Sequence, residues 1–352
     1  MAEQGTQPVA LAQVMAGAEH GGAESFYTRL VAGLAGVPGL RQHAFTRNYP
    51  ARVQALQQAG VEVSTLRFGG RLDLPDHWQY RQALRAMSPD VVLTWMNRAS
   101  ILTPRGPWTL ACRLGHYYDL KYYRHADFWI GNTHGICDHL VRGGMPAAQV
   151  ECIPNFVDER EQAAVPRAQL DVPDSVPLLL GAGRLHTNKA FDVLLDALVQ
   201  VPDAVLCLAG TGPEEHALRE QCSALGLEAR VRFLGWRDDV GALMHSADLF
   251  VCPSRHEGLG NIVLEAWFRG CPVVATRSQG PAELIEDGIS GLLTPIDDAP
   301  ALAAAIRAAL LDVDARNSMA AAGLQCYREH YASEVILGRY AELCQRLAAR
   351  RS

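Results

Sequence analysis

The sequence predicts an α/β protein made of two doubly wound, Rossmann-like domains with a cleft between them. Three observations carry this. Short apolar runs alternate with helical patterns along most of the chain, the signature of parallel sheets layered with helices. At 352 residues the chain is long for a single core. Residues 159–176, "EREQAAVPRAQLDVPDSV", carry acids and two prolines without apolar periodicity, which predicts a linker. The expected layout is a first domain over 1–158, the linker at 159–176, a second domain over 177–332 and a helix over 333–352. That last segment follows an alanine-rich helical tail too long for one crossover, so it is expected to pack back on the first domain.

In the first half, "VALAQVM", "VEVSTL", "DVVLTW", "TLACRLG", "DFWIGNT" and "VECIPN" predict strands, because each is a short apolar run bounded by turn residues. Helices are expected over 23–35, 49–59 and 135–142. In the second half the strands are "PLLLGAG", "AVLCLAG", "VRFLG", "LFVCPS", "PVVAT" and "GLLTP". Ligands of open parallel sheets bind beyond the carboxyl ends of strands. The polar and glycine residues directly after these strands are therefore the candidates for chemistry.

Composition excludes several classes. Hydrophobic residues make up 49% and charged residues 20%, ordinary for a globular enzyme and unlike a disordered or fibrous chain. No apolar run approaches the roughly 20 residues needed to span a bilayer. The amino-terminal stretch lacks the basic and apolar regions of a signal peptide. Nine scattered cysteines, none in a C-x-x-C pair, fit a reducing compartment, so a cytoplasmic location is expected. No D-x-D metal signature stands near a strand end, and neither histidines nor cysteines show ligand spacing, so no metal is expected. The net charge of −6 hides an asymmetry: residues 1–150 hold 14 basic and 10 acidic side chains, residues 151–352 hold 18 and 28. Between Arg41 and Arg124 twelve basic side chains stand against five acidic ones, which points to an anionic partner for the first half. A solvated arginine-rich surface would give the same counts.

Three stretches of the second half carry the chemistry. In "LLLGAGRLHTNKAFDVLLDAL" a buried strand ends at Gly181–Gly183, and Arg184 and Lys189 flank the start of a helix. Two cations beside a helix amino terminus suit a phosphate or diphosphate. "LAGTGPEE" places Gly212 in a second glycine turn. Neither stretch spells G-x-G-x-x-G followed by an acid about 20 residues on, so dinucleotide binding lacks its usual support. In "SRHEGLGNIVLEAWFRGCPVVAT" the glycines Gly258 and Gly260 open a helix, where backbone amides can approach ligand oxygens closely. The carboxylates Glu257 and Glu265 flank that turn and suit sugar hydroxyls.

"PSRHEGLGNIVLEAWFRGCPVVAT" resembles the E-x7-E motif of glycosyltransferase family 4, retaining enzymes of GT-B fold. "GRLHTNK", "LAGTGPEE" and "SQGPAELIEDGISGLLTP" are similar to further motifs of that family in the same order, as are "HGGAESF" and "CIPNFVD" in the first half. Ala190 departs from the glycine usual after the lysine, and Gln279–Gly280–Pro281 from a plain Gly-Gly. The resemblance implies that Arg184 and Lys189 bind the leaving diphosphate, Glu265 the donor ribose and Glu257 the transferred sugar. It implies donor contacts from Gly183, Gly212, Gly258, Leu259, Gly260 and Asn261, a first-domain loop at Gly21 and Gly22, and His116 near the sugar. The implied activity is hexose transfer from a UDP-, GDP- or ADP-sugar to a glycan or lipid-linked acceptor, without cofactor or nucleic acid. "GHYYDLKYYRHADFWIGNT" looks like segments of bacterial lipopolysaccharide-core transferases, and Arg98, Arg105, Arg113, Lys121 and Arg124 suggest an anionic acceptor at the inner face of a membrane. Phe68, Trp78, Tyr80 and Trp95 are candidates for its apolar docking surface. A GT-B epimerase, a phosphorylase, and an inactive sugar-nucleotide-binding protein are the alternatives.

Overall fold

The computed structural model describes residues 7–69 and 73–350. The first six residues, Arg71 of the basic excess, and positions 351–352 at the end of the expected last helix lie outside the described residues. The chain divides into two compact units, one formed by Met1–Phe156 with Ser333–Ser352, the other by Val157–Ala332.

The first unit holds a parallel sheet of β1 (Val9–Met15), β2 (Leu40–Thr46), β3 (Glu62–Thr65), β4 (Val91–Trp95), β5 (Thr109–Leu114), β6 (Phe128–Gly131) and β7 (Val150–Cys152). Its order is β3-β2-β1-β4-β5-β6-β7, a doubly wound sheet whose direction of growth reverses between β1 and β4. The central strands are buried along nearly their whole length, because helices cover both faces. The sequence pattern finds every strand here except β2. "LRQHAFT" presents three polar residues in a row, yet Gln42 points inward. Its side chain accepts from Gln13 of β1 at 3.1 Å and donates to the Val31 carbonyl at 3.0 Å, while Gln13 accepts from the Trp95 indole at 3.0 Å. A buried amide pair thus stands where alternation would require apolar side chains.

The helix Ser333–Ala349 belongs to this unit, burying Ile336, Tyr340, Leu343, Cys344 and Leu347 at helical spacing. It lies close against the helix Gly22–Leu34, where a Cβ on Gly33 would come within 2.9 Å of Leu337. Two members of the basic excess are structural, which corrects their reading as surface charge. Arg113 is 3% exposed; its Nε donates to Tyr340 Oη at 2.9 Å, its Nη2 donates to Asn155, and its guanidinium covers the Phe26 and Trp95 rings. Arg52 is 5% exposed and donates to the carbonyls of Ala18 and Glu19. Phe68, Tyr80 and Trp95 are likewise core, whereas Trp78 is 66% exposed.

The second unit repeats the topology. Its strands are β8 (Leu178–Ala182), β9 (Val205–Ala209), β10 (Val231–Gly235), β11 (Leu249–Cys252), β12 (Val273–Thr276) and β13 (Leu292–Thr294), ordered β10-β9-β8-β11-β12-β13. All six match predicted strands; β8, β9, β11 and β12 are apolar runs buried along their whole length, whereas the edge strands β10 and β13 are only partly buried. Residues 159–176, expected as a linker, belong to this unit and bury Val165, Leu170 and Val172 in its core. A neighbouring helix, Val313–His330, meets the helix Asn261–Phe268 through Gly323, where a Cβ would lie 2.4 Å from Trp267.

The Arg113 cluster yields a stability test. Tyr340→Phe keeps the ring but leaves a buried guanidinium N–H without its acceptor, so urea unfolding should show a loss of about 1–3 kcal/mol. A change under roughly 0.5 kcal/mol would show that Arg113 does not depend on this bond.

Candidate functional site

The second unit gathers the predicted residues at the carboxyl ends of β8 and β11, the neighbouring strands between which the sheet changes direction. Beyond β8 the chain turns at Gly183, and beyond β9 at Gly210 and Gly212. These loops pack backbone against backbone: Gly183 N–H donates to Ala209 O at 2.9 Å, and Leu185 N–H to Thr211 O at 3.0 Å. A Cβ on Gly210 would lie 1.9 Å from Gly183 O, and Gly210 has φ +142°, so this approach requires glycine. The loops form the floor of a cavity of about 530 Å³ lined by Gly183, Arg184, Gly212 and Glu265 from the predicted set. Trp236 and Arg237 at the end of β10, with Ile262, complete its wall.

Lys189 ends a short turn, Thr187–Lys189, after which Ala190 adopts a left-handed backbone with φ +51° and starts the helix Phe191–Val199. This conformation explains why glycine suits the position after the lysine. The lysine stem passes Gly183, whose added Cβ would meet Lys189 Cε at 3.1 Å. Its Nζ forms an ion pair with Glu257, and both side chains are largely buried. Burial alone would lower the lysine's pKa, but the Glu257 carboxylate outweighs it and holds the ammonium above its ordinary range.

Arg255, absent from the predicted set, braces this pair. Its guanidinium donates to both carboxylate oxygens of Asp192 at 3.0 and 2.6 Å, to Asp297 at 2.5 Å and to the Thr187 carbonyl at 2.7 Å. Its backbone N–H donates to Asn188 O at 2.8 Å. One arginine thereby locks the lysine turn to the loop that carries Glu257. Its signal in the sequence is only a basic residue two positions before the first glutamate.

Downstream of Glu257, Gly258 is half-buried and Gly260 caps the helix Asn261–Phe268 with φ +82°, a conformation costly for any other residue. Gly280 presses on this turn, donating to Glu257 O at 2.8 Å; a Cβ there would lie 2.3 Å from the Leu259 carbonyl carbon. The departure at Gln279–Gly280–Pro281 thus keeps its one required glycine. Leu259 is 5% exposed and its side chain belongs to the core. Glu265 sits one helical turn into the helix and is partly exposed toward the cavity, while Trp267 of the same helix is buried and donates to Ser290 O at 2.9 Å.

Arg184 is exposed on the cavity wall and forms no ion pair among the described residues. The site therefore presents an available guanidinium, an ammonium fixed by a carboxylate, and a second carboxylate across a glycine-lined floor. Such a set can hold an anion and a polyol side by side. Trp236, 79% exposed beside the cavity, offers a flat aromatic surface. Its signal was a lone aromatic just after a strand-ending glycine. Gly21, Gly22 and His116 stand in the first unit, beyond β1 and β5, and all three are exposed. The glycine loop after β1 wraps the buried Glu24 carboxylate, which accepts from Ala18 N–H at 2.9 Å.

Comparison with known proteins places these motifs. Residues 20–161 match the model of Glycosyltransferase Family 4, and residues 176–312 that of Glycosyl transferases group 1. The lipopolysaccharide core biosynthesis glycosyltransferase LpsE of Rhizobium meliloti (strain 1021) is 35% identical over 331 residues, 92% of this chain and 95% of that protein. LpsD of the same organism is 31% identical over 340 residues, 94% and 97%. Among solved structures, Anabaena HepE in complex with UDP and glucose superposes with a TM-score of 0.81 at 24% identity, covering 96% of this chain and 99% of that one.

The ion pair makes a pH prediction. Because the folded-state pKa of Lys189 is raised above 10.5, its contribution to stability is complete below 10.5 and is lost as pH rises through the higher folded value. The stability gap between the wild type and Lys189→Met, from urea unfolding, should therefore stay constant from neutrality to about pH 10 and narrow above it. A gap that closes by about pH 9 would mean that the lysine is not held charged by Glu257.

Proposed function

The chain belongs to the glycosyltransferases, with a family 4 region ahead of a group 1 region, and from that membership we propose that it transfers a hexose, with retention, from a nucleoside-diphosphate sugar to a lipid-linked or glycan acceptor in lipopolysaccharide core synthesis. The observation that carries this reading is the second-unit site, where the Lys189–Glu257 pair stands beside Gly183 and the glycine-floored cavity is lined by Arg184, Glu265 and an exposed tryptophan.

In the proposed reaction Arg184 and Lys189 receive the charge that builds on the diphosphate as the anomeric bond breaks. Preorganised donors of this kind contribute about 2–4 kcal/mol each. They supply the positive charge locally, so no metal ion is required. The amides from Gly258 to Asn261 approach the phosphate and sugar, Glu265 accepts from ribose hydroxyls, and Glu257 from hydroxyls of the migrating sugar. Trp236 provides a stacking surface for the base. UDP is the favoured nucleotide, because HepE, similar in fold, was solved with UDP and glucose.

An anionic membrane face is the proposed setting. No helix among the described residues is long and apolar enough to cross a membrane. The helix Leu74–Met87, however, exposes Leu74, Trp78, Arg81 and Arg85 along one stripe, a pattern suited to lying on an anionic interface.

Two measurements test these points. With UDP-, GDP- and ADP-sugars screened by thermal shift and turnover, UDP-sugars should stabilise the protein, and Lys189→Ala should lower turnover more than tenfold. Unchanged turnover would remove the diphosphate role. Co-sedimentation with anionic liposomes should occur at low salt, weaken at high salt and drop in Trp78→Ser; binding insensitive to both would count against the stripe.

A further inference from the structure

The first unit contains a cavity of about 680 Å³ that the donor chemistry does not use. It opens beyond the carboxyl ends of β2 and β3 and is lined by Arg47, Asn48, Tyr49, Arg67, Asp76 and Gln79, among others. Its size is that of a small-molecule site.

Its charges are unevenly committed. Asp76 is buried, and its two carboxylate oxygens accept from the backbone N–H groups of Arg67 and Phe68, both at 2.9 Å. The Arg67 guanidinium pairs with Asp73 at 2.7 Å. Arg47 is different. Its Nη2 donates to the Phe68 carbonyl at 3.1 Å, which fixes the guanidinium, but its Nε is buried with no acceptor among the described residues. It forms no ion pair with any described carboxylate. A half-buried guanidinium with an unmet donor is poorly placed unless an anion shares its site.

Two further features agree with an anion. The helices Pro50–Gln58 and Leu74–Met87 both begin at the cavity, and neither first turn receives a side-chain cap. The first turn of Pro50–Gln58 also holds no acid, so its positive dipole end adds to Arg47, whereas that of Leu74–Met87 is offset by Asp76 in its own first turn. Around this point stand the amides of Asn48 and Gln79, both exposed, which can donate to and accept from hydroxyls. The Tyr49 ring is held by the Arg52 guanidinium 5.0 Å from its centroid. One anion-holding cation ringed by amides and an aromatic matches a sugar that carries a phosphate, not a bare ion.

We propose that this cavity binds a phosphate-bearing sugar, with Arg47 gripping the phosphate and Asn48 and Gln79 reading hydroxyls. The proposal rests on the glycosyltransferase reading only in taking that sugar to be part of the acceptor.

The full-length protein, with UDP present in excess, is titrated by calorimetry with glucose 6-phosphate, glucose and inorganic phosphate. Glucose 6-phosphate should bind, and glucose or phosphate alone should bind at least tenfold more weakly. Arg47→Gln should weaken glucose 6-phosphate at least tenfold. Because Arg47 also holds the Phe68 carbonyl, Gln79→Glu serves as a second variant: it sets an acid in the wall at an exposed residue that makes no side-chain hydrogen bond among the described residues, and it should weaken binding similarly. Failure of glucose 6-phosphate to bind, undiminished binding in Gln79→Glu, or equally tight inorganic phosphate would overturn the proposal. UDP affinity is read on the same samples; its absence would strike the donor assignment while these variants still decide the cavity.

Discussion

The ion pair between Lys189 and Glu257 is the interaction around which the second unit is arranged. It spans the point where the sheet changes direction, joining the loop after β8 to the loop after β11. A lysine this deep would tend to lose its proton, and a glutamate beside it would otherwise lack a counter-charge. The carboxylate keeps the ammonium charged, and the pair holds both side chains in place. The arrangement holds only if the two loops cannot slide, and Arg255 supplies that constraint through Asp192, Asp297 and the Thr187 carbonyl. Fixed geometry is what lets an ammonium stabilise developing charge, because no reorganisation is then needed as the charge appears.

The pair also sets the backbone around it. The Lys189 stem passes directly over Gly183 on its way to Glu257, and a Cβ there would press on it at 3.1 Å. The floor of the cavity follows from Gly210 and Gly212, which let three strand-end loops close on one another with backbone hydrogen bonds alone. Trp267, locked by Gly323 and the Ser290 carbonyl, then fixes the helix that aims Glu265 at this floor. Packing two residues away from a carboxylate thus decides where it points.

What the sequence revealed follows from how each element is buried. Strands covered on both faces read as unbroken apolar runs, and the four inner strands of the second unit, β8, β9, β11 and β12, were legible for that reason. β2 was hidden because its inward residue is Gln42, matched to Gln13 across the sheet; no single-sequence pattern reports a partner 29 residues away. The motif glutamates, the lysine and the glycines were legible because their residue types are unusual where they stand. Arg255 was not, since an arginine near a strand end is common and its three partners lie elsewhere in the chain. Residues 159–176 read as a linker because prolines and acids obscure Val165, Leu170 and Val172, each of which finds the core alone rather than on a periodic face.

The same distinction governs the arginines. Counting charges treats Arg47, Arg52 and Arg113 as equal members of one basic excess. Arg52 and Arg113 are sunk among carbonyls, hydroxyls and rings that take up their donors, so they hold the fold and attract nothing from outside. Arg67 is engaged by Asp73. Arg47 and Arg184 line cavities without a carboxylate partner among the described residues, and in each case neighbouring residues suited to hydroxyls stand close by. Net charge fixes how strongly a surface draws anions from a distance, but the site at which an anion rests is decided by which cation the fold has left without a mate.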